Sequence, residues 1–253
     1  MLDANSLPPW SLIALAFGVA FLYSSVGLGG GSGYLAAMSL FAISTQLIAS
    51  TALTLNILVA SIAFVTYWQS GYFDWSLLWP FLLTSIPAAF VGGYIQLSDT
   101  IYLGVLYATL AYVGAQLLFW DRTAQPIDAP KRISWFAILG SGLLMGLLSG
   151  MVGLGGGIFL SPLLVLTGWG TPKQAAASSA GFIVINSVSG VLGRIIGGAF
   201  VLGLLGATLL PVGVAGALLG SRLGARYLSG TLLRRVLGLI LLLTVASFVY
   251  QAH

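Results

Sequence analysis

The sequence contains no cysteine and no glutamate, and its single histidine is the last residue, His253. Without cysteine, the chain can form no disulfide, no thiolate metal site and no cysteine nucleophile. Its five acidic residues are all aspartates between apolar runs, so paired-carboxylate catalysis and histidine-metal chemistry have no residues to use within those runs. We therefore expect a protein that is not an enzyme, with no catalytic residue, no metal site and no cofactor.

Charge is also scarce. Only 6% of the 253 residues are charged and 58% are hydrophobic, and the mean hydropathy is +1.05. Soluble proteins carry roughly a quarter charged residues, and nine basic plus five acidic side chains cannot cover a soluble domain of this size. The chain is predicted to lie in a lipid bilayer. No nucleic-acid partner is expected, and nothing in the sequence indicates a homo-oligomer, although the composition permits one.

The apolar runs define about eight segments that could cross a membrane. All are predicted to be helical, because an isolated strand would leave backbone polar groups unpaired in lipid, and the runs lack the alternation of barrel strands. The fold class is therefore an all-α integral membrane protein. The segments lie near residues 10–43, 45–67, 75–96, 101–119, 134–166, 174–193, 198–221 and 232–250.

A polar linker divides the chain almost in half. Residues 120–132, WDRTAQPIDAPKR, hold two prolines and five charged residues, a composition typical of a solvated connection. We predict a first transmembrane repeat at residues 1–120, a linker at 121–132 and a second transmembrane repeat at 133–253.

The two halves share three motifs in the same order. The run GLGGG recurs after 126 positions, and both an alanine-flanked hydroxyl pair and a glycine recur after 128. The matching pairs are Gly27–Gly31 with Gly153–Gly157, Ala49–Ala52 with Ala177–Ala180, and Gly92 with Gly220. An internal duplication into two related four-helix repeats explains this order. Duplication is common in secondary transporters, whose substrate site tends to lie between the repeats.

Each glycine run lies inside a segment that is too long for one straight span. A helix of about 33 residues would be roughly 50 Å long, whereas the hydrocarbon core is about 30 Å thick. Because glycine disfavours helix, both helices are predicted to break at GLGGG. A helix that restarts inside the bilayer presents free N–H groups, which bind anions.

The alternative role of these glycines is close helix packing. Packing requires glycines spaced four residues apart. Glycines of the fifth segment show this spacing, and we assign them to packing: Gly140, Gly142, Gly146 and Gly150.

Polar residues on the following helices extend the candidate site. The serine and threonine hydroxyls either complete a shell around an anion or bond to a carbonyl of the preceding turn. The side-chain amides of Asn56 and Asn186 either bridge helices or contact substrate. The candidate substrate-binding residues are Gly29, Gly30, Gly31, Ser50, Thr51, Asn56, Gly155, Gly156, Gly157, Ser178, Ser179 and Asn186.

Arg194 is the one basic residue with long apolar sequence on both sides. It is a candidate gate or anion-attracting residue, although its place near a predicted turn favours the membrane interface.

Four other arginines favour a cytoplasmic loop before the last helix, with both termini outside. They are Arg222, Arg226, Arg234 and Arg235. The basic linker favours the same side, however, and eight simple crossings cannot place both loops there.

The doubled glycine signature resembles the TauE/SafE family of sulfite and organosulfonate exporters. It reads VGLGGGSGYLAAMSL in the first half and VGLGGGIFLSPLLVL in the second, each followed by Ala-Ser-Thr or Ala-Ser-Ser, and the resemblance covers essentially the whole chain. Pro162 fits the family pattern, whereas Ala36 occupies the equivalent first-half position.

The resemblance implies a secondary transporter of the cytoplasmic (inner) membrane for sulfite, thiosulfate or an organosulfonate. No P-loop is present to bind ATP. The alternatives are a passive channel for an anion or small solute, and a membrane scaffold that transports nothing.

Overall fold

The computed structural model describes residues 4–25, 28–41, 43–119, 134–224 and 230–251. These residues form ten α-helices, a short 3-10 turn at Trp75–Leu77, and no strand. The helices are α1 (Trp10–Ser25), α2 (Gly31–Ser39), α3 (Thr45–Gln69), α4 (Trp79–Tyr94), α5 (Asp99–Phe119), α6 (Trp135–Val152), α7 (Gly157–Leu166), α8 (Pro172–Ile196), α9 (Gly203–Gly224) and α10 (Gly230–Gln251). The predicted linker at 121–132, Gly27 and Arg226 lie outside the described residues.

Several of these helices suit a membrane rather than water. Five described helices are long and apolar enough to cross a bilayer, namely α3, α5, α6, α8 and residues 203–222 of α9. On α6, the large apolar side chains Phe136, Leu143 and Leu144 are 89%, 54% and 58% exposed, and an apolar outer face is expected where lipid is the solvent. The prediction of an all-helical chain with several membrane-spanning helices is therefore confirmed for the described residues.

The helix interruptions predicted at the two glycine runs are present. α1 ends at Ser25 and α2 begins at Gly31, while α6 ends at Val152 and α7 begins at Gly157. Four glycines in these turns have positive φ angles, a region in which a Cβ is disfavoured. They are Gly30 (91°), Gly153 (98°), Gly155 (76°) and Gly156 (74°). Glycine is therefore what lets the chain leave one helix and begin another here.

Corresponding helices of the two halves pair in corresponding ways. α1 packs along α9, and α6 packs along α4. α3 packs against α8 at the centre, and α5 packs against α10. Exchanging α1–α5 for α6–α10 leaves this set of helix pairs unchanged.

Close contact between α4 and α6 depends on three glycines of α6. A carbon added at any of them would crowd a backbone carbonyl oxygen of α4. The glycines are Gly142, Gly146 and Gly150, and the oxygens belong to Phe81, Ser85 and Ala89. The packing role predicted for these three residues is confirmed. For Gly140 it is wrong, because a carbon added there meets nothing within 4 Å.

We expect Gly150→Ala to lower the free energy of unfolding by about 2 kcal/mol, the usual scale for overpacking a close contact. The added methyl group would overlap Ala89 O, which belongs to the backbone and cannot move aside cheaply. Gly140→Ala is the matched control on the same helix and should be neutral or stabilising by up to about 1 kcal/mol. Denaturant unfolding in detergent measures both. Equal effects would show that α4 and α6 do not meet at Gly150.

Candidate functional site

The two glycine turns meet inside the protein. Residues 28–31 and 153–157 are all buried. A side-chain carbon added at Gly31 would overlap the carbonyl oxygen of Leu154, so the two turns are in direct contact. The structure therefore brings together two glycine runs that lie 126 positions apart in the sequence.

Asn56, on α3, lies between the two turns. Its Nδ2 donates a hydrogen bond to Gly153 O at 3.1 Å, and it would lie 2.8 Å from a carbon added at Gly31 and 3.0 Å from one added at Gly155. Its Oδ1 is buried and has no partner among the described residues. One amide thus contacts both halves of the chain and keeps an unused hydrogen-bonding atom at their junction.

α8 covers the same junction from the other side. Ile183 Cγ2 would lie 3.0 Å from a carbon added at Gly29 and 2.7 Å from one added at Gly155, and Ser187 Oγ would lie 3.3 Å from the latter. Asn186 Nδ2 donates to Phe182 O of its own helix at 2.9 Å. Ser187 lies at this junction and was missed by sequence reasoning, although it directly follows Asn186.

Many buried polar atoms of α2, α3, α6 and α8 lack a hydrogen-bond partner among the described residues. They are Tyr34 OH, Thr51 Oγ1, Asn56 Oδ1, Ser149 Oγ, Ser178 Oγ, Ser179 Oγ, Asn186 Oδ1 and Ser187 Oγ. Buried polar groups are normally hydrogen-bonded, and leaving one unpaired costs about 1–3 kcal/mol. Three of them lie beside glycines of the two turns and are available to a polar ligand, namely Tyr34 OH, Asn56 Oδ1 and Ser187 Oγ.

Both short helices begin at these turns without a side-chain cap. The residue that precedes α2 is Gly30 and the residue that precedes α7 is Gly156, and neither helix start receives a side-chain hydrogen bond. The first N–H groups of a helix have no partner within it and carry the positive end of the helix dipole. The two helix starts therefore favour negative charge at the junction, whereas the unused Asn56 Oδ1 can only accept a hydrogen bond.

Two predicted site residues on α3 face α9 and the loop before it. The Ser50 hydroxyl donates to Ala199 O at 3.4 Å and accepts from the Val201 N–H at 3.2 Å, so it fastens this loop. Thr51 Oγ1 would lie 2.8 Å from a carbon added at Gly206 of α9. These bonds of Ser50 differ from both predicted roles of the hydroxyls, which were to surround an anion or to bond to a carbonyl of the preceding turn. On α8, the Ser179 carbonyl oxygen would lie 2.5 Å from a carbon added at Gly157.

Arg194 is buried, so its side chain does not extend to the protein surface as a snorkelling arginine does. Only 5% of its surface is exposed, and its guanidinium donates to Gly150 O at 3.3 Å and to Met151 O at 2.8 Å. The reason is the break in the chain. Because α6 ends inside the protein, its last carbonyls lack helical partners and carry the negative end of the helix dipole, which attracts a cation.

Four consecutive carbonyls at the end of α6 accept hydrogen bonds from side chains of three other helices. The donors are Arg194 for Gly150 and Met151, Tyr102 for Val152 at 3.0 Å, and Asn56 for Gly153. An unpaired carbonyl in a membrane interior costs several kcal/mol. These bonds therefore fix the position of the second glycine turn. Sequence reasoning also missed Tyr102, since nothing local connects it to the turn.

Comparison with known proteins agrees with the motifs. The family model for the sulfite exporter TauE/SafE matches residues 12–248. The chain is 34% identical to the probable membrane transporter protein y4hK of Sinorhizobium fredii, over 92% of this chain and 95% of that protein. It is 24% identical to the probable membrane transporter protein YunE of Bacillus subtilis, over 95% of this chain and 97% of that protein. No solved structure matches at a significant level.

The family and both relatives are thus named for transport rather than for an enzyme reaction. The described helices supply several membrane spans. The chain is a multi-pass membrane transporter, and it belongs to the TauE/SafE family of sulfite exporters.

Proposed function

We propose that this protein is a secondary transporter that moves a small sulfur-containing anion, such as sulfite, thiosulfate or an organosulfonate, across the cytoplasmic membrane. The anion would bind where the two glycine turns meet. The observation that carries the proposal is the contact of Asn56 with both turns. The proposed binding residues are Gly29, Gly30, Gly31, Ser50, Thr51, Asn56, Gly155, Gly156, Gly157, Ser178, Ser179, Asn186 and, in addition, Ser187.

The charge distribution supports an anion as the substrate. Both helix starts lack a side-chain cap at the junction, although the N–H groups of Gly157 and Phe159 in α7 donate to Gly155 O and Gly156 O. The Arg194 guanidinium is bonded to Met151, two residues before the second turn. No acidic residue occurs in residues 133–253. Such positive sources attract anions and repel cations.

Close packing at the turns supports a carrier rather than a permanently open channel. The glycine turns are buried, and a carbon added at Gly157 would lie 2.5 Å from Ser179 O and 2.6 Å from Ile183 Cγ1. A substrate can enter such a site only when neighbouring helices separate. The matching contacts of α1 with α9 and of α6 with α4 support an internal duplication into two four-helix repeats, residues 1–120 and 133–253, with eight spans in all. We propose that alternating access comes from movement of these repeats relative to each other.

For orientation, we propose that both termini lie outside, on the basis of the basic loop before α10. The chain has no cysteine, so one introduced next to His253 can be labelled without background. It should react with a membrane-impermeant maleimide added to intact cells. Reaction only after the cells are opened would reverse the orientation.

The substrate proposal predicts a thermal shift in detergent-purified protein. Sulfite, thiosulfate, sulfate, taurine and sulfoacetate are added separately, and at least one should stabilise the wild type, by about 2.7 kcal/mol at a concentration a hundred times its dissociation constant. Asn56→Leu should lose this shift, because it removes the amide between the turns. Thr66→Val, on the same helix, should retain it. If no anion acts, or if Asn56→Leu responds like the wild type, the proposed site is wrong.

Exchange in proteoliposomes separates the three possible activities. If the protein is a carrier, vesicles loaded with unlabelled thiosulfate should transiently accumulate labelled thiosulfate, since the carrier exchanges one for the other. A passive channel would only equilibrate the label, and a scaffold would leave the flux at the level of protein-free vesicles.

A further inference from the structure

A wide apolar crevice opens on the side of the protein between α5, α6 and α7. It encloses about 590 Å³ and does not include the glycine turns. Its lining includes Tyr112, Leu144 and Leu166, which are 59%, 58% and 53% exposed. Because α5 and α6 are membrane-spanning helices, the crevice is continuous with the apolar surface that faces lipid.

The first half contains a corresponding but much smaller crevice. It lies between α1, α2 and α10 and encloses about 130 Å³. Seven lining positions of the two crevices correspond at an offset of 126, the same offset that relates the two glycine runs. The two crevices are therefore equivalent places in the two halves, and only one of them is wide.

The difference in width follows from the side chains of the two short helices. α2 carries Gly33 and Ala37 where α7 carries Phe159 and Leu163. A carbon added at Gly33 would lie 2.6 Å from Val19 Cγ1, so α2 lies directly against α1. With its larger residues, α7 packs mainly against α8 and makes less contact with α6 than α2 makes with α1. The wide crevice is thus specified by the sequence of the second half.

One polar atom in the wide crevice is unused. Gln116 Oε1 is buried and has no partner within the described part of the chain. Gln116 lies one turn before the end of α5, where Phe119 is 78% exposed. Ser141, on the opposite wall, lies in the second turn of α6. Since helix ends lie near the headgroup region, the crevice has a polar group at its outer end and apolar walls towards the bilayer centre.

We propose that this crevice binds one acyl chain of a membrane phospholipid, with Gln116 hydrogen-bonded to the glycerol-ester or headgroup region of the same lipid. The apolar walls suit the chain, and burial of each methylene group is favourable. The unused Oε1 of Gln116 only accepts, so it can pair with a headgroup donor such as the ammonium of ethanolamine, while its Nε2 can donate to an ester carbonyl. Continuity with the lipid-facing surface favours a lipid over a soluble ligand.

Native mass spectrometry of delipidated protein, titrated with palmitoyl-oleoyl-phosphatidylethanolamine, tests the proposal. The wild type should form a one-to-one adduct. Ala108→Trp, which places an indole in the crevice from α5, should lower the adduct's association constant at least about tenfold. Gln116→Leu, which keeps the walls apolar, should lower it about fivefold, the usual scale for losing one hydrogen bond. Leu143→Trp is the control, since Leu143 is exposed on α6 but does not line the crevice.

Three results would overturn this inference. One is a wild-type adduct no more abundant than random attachment of lipid. Another is equal weakening by Ala108→Trp and Leu143→Trp. The third is a wild-type dimer that Ala108→Trp converts to a monomer, which would assign the crevice to a second copy of the chain. If Ala108→Trp does not fold, Gln116→Leu decides alone, and unchanged binding by that variant refutes the lipid site.

Discussion

Gly155→Ala is expected to lower the initial rate of sulfite or thiosulfate transport in proteoliposomes by about a hundredfold. Gly155 has a φ of +76°, and the added methyl group would lie 2.7 Å from Ile183 Cγ2, 3.0 Å from Asn56 Nδ2 and 3.3 Å from Ser187 Oγ. The methyl group would occupy the proposed anion site and also strain the backbone, by about 1–2 kcal/mol. A loss of about 2.7 kcal/mol in transition-state stability corresponds to a hundredfold in rate.

Gly71→Ala is the matched control for this experiment. Gly71 has the same φ of +76°, but a carbon added there meets nothing within 4 Å. The two variants share a positive φ, but the methyl group meets neighbouring atoms only at Gly155. Transport by Gly71→Ala should stay within about twofold of the wild type. Equal loss in both variants would mean that backbone strain, and not the site, accounts for the effect.

Replacing Arg194 by glutamine is expected to destabilise the protein by about 3 kcal/mol. The change removes the donors to Gly150 O and Met151 O, and a buried acceptor left unpaired costs about 1–3 kcal/mol. The loosened end of α6 should also displace the second glycine turn and lower transport. Unfolding in detergent and initial transport rates measure the two effects.

Two further arginine variants serve as controls for Arg194→Gln. Arg222→Gln removes the same charge from an exposed position in the last turn of α9 and should change stability by less than about 0.5 kcal/mol. Arg194→Lys keeps the charge but loses the forked geometry of the guanidinium. If Arg194 attracts the anion as well as holding α6, Arg194→Lys should preserve the apparent KM better than Arg194→Gln does. Equal behaviour of Arg194→Gln and Arg222→Gln would remove Arg194 from the site.

The helix breaks were predictable because their cause is local. Three successive glycines, with a fourth two positions earlier, disfavour helix wherever they occur, and the segments around them are too long for one span. The structure ends α6 at Val152 and begins α7 at Gly157, as that reasoning expects.

The hydrogen-bond partners of the site residues were not predictable, because they lie far away in the sequence. Ser50 bonds to residues 149 and 151 positions further on. Tyr102 bonds to a carbonyl 50 positions further on, and Arg194 bonds to carbonyls 43 and 44 positions earlier. Spacing gives the face of a helix but not the neighbour it meets. For the same reason the spacing assigned Gly140 to packing, although that position has open space beside it.

The two halves share a backbone plan but differ in side chains. Both contain a helix broken at glycine, yet in the second half Arg194 bonds to the end of α6, while the aligned stretch of α3, around Thr66, has no basic residue. The second half also has the wide crevice beside α7. The shared plan is what the proposed duplication predicts, and the side chains around the two turns differ.

An anomalous-scattering map of crystals grown with selenite tests the central claim most directly. Selenite is the selenium analogue of sulfite, and selenium can be located by its anomalous signal. We expect one strong peak between Gly31 and Gly155, within hydrogen-bond distance of Asn56, and no peak in crystals of Asn56→Leu. A peak elsewhere in the wild type, or one that persists unchanged in Asn56→Leu, would contradict an anion site between the two glycine turns.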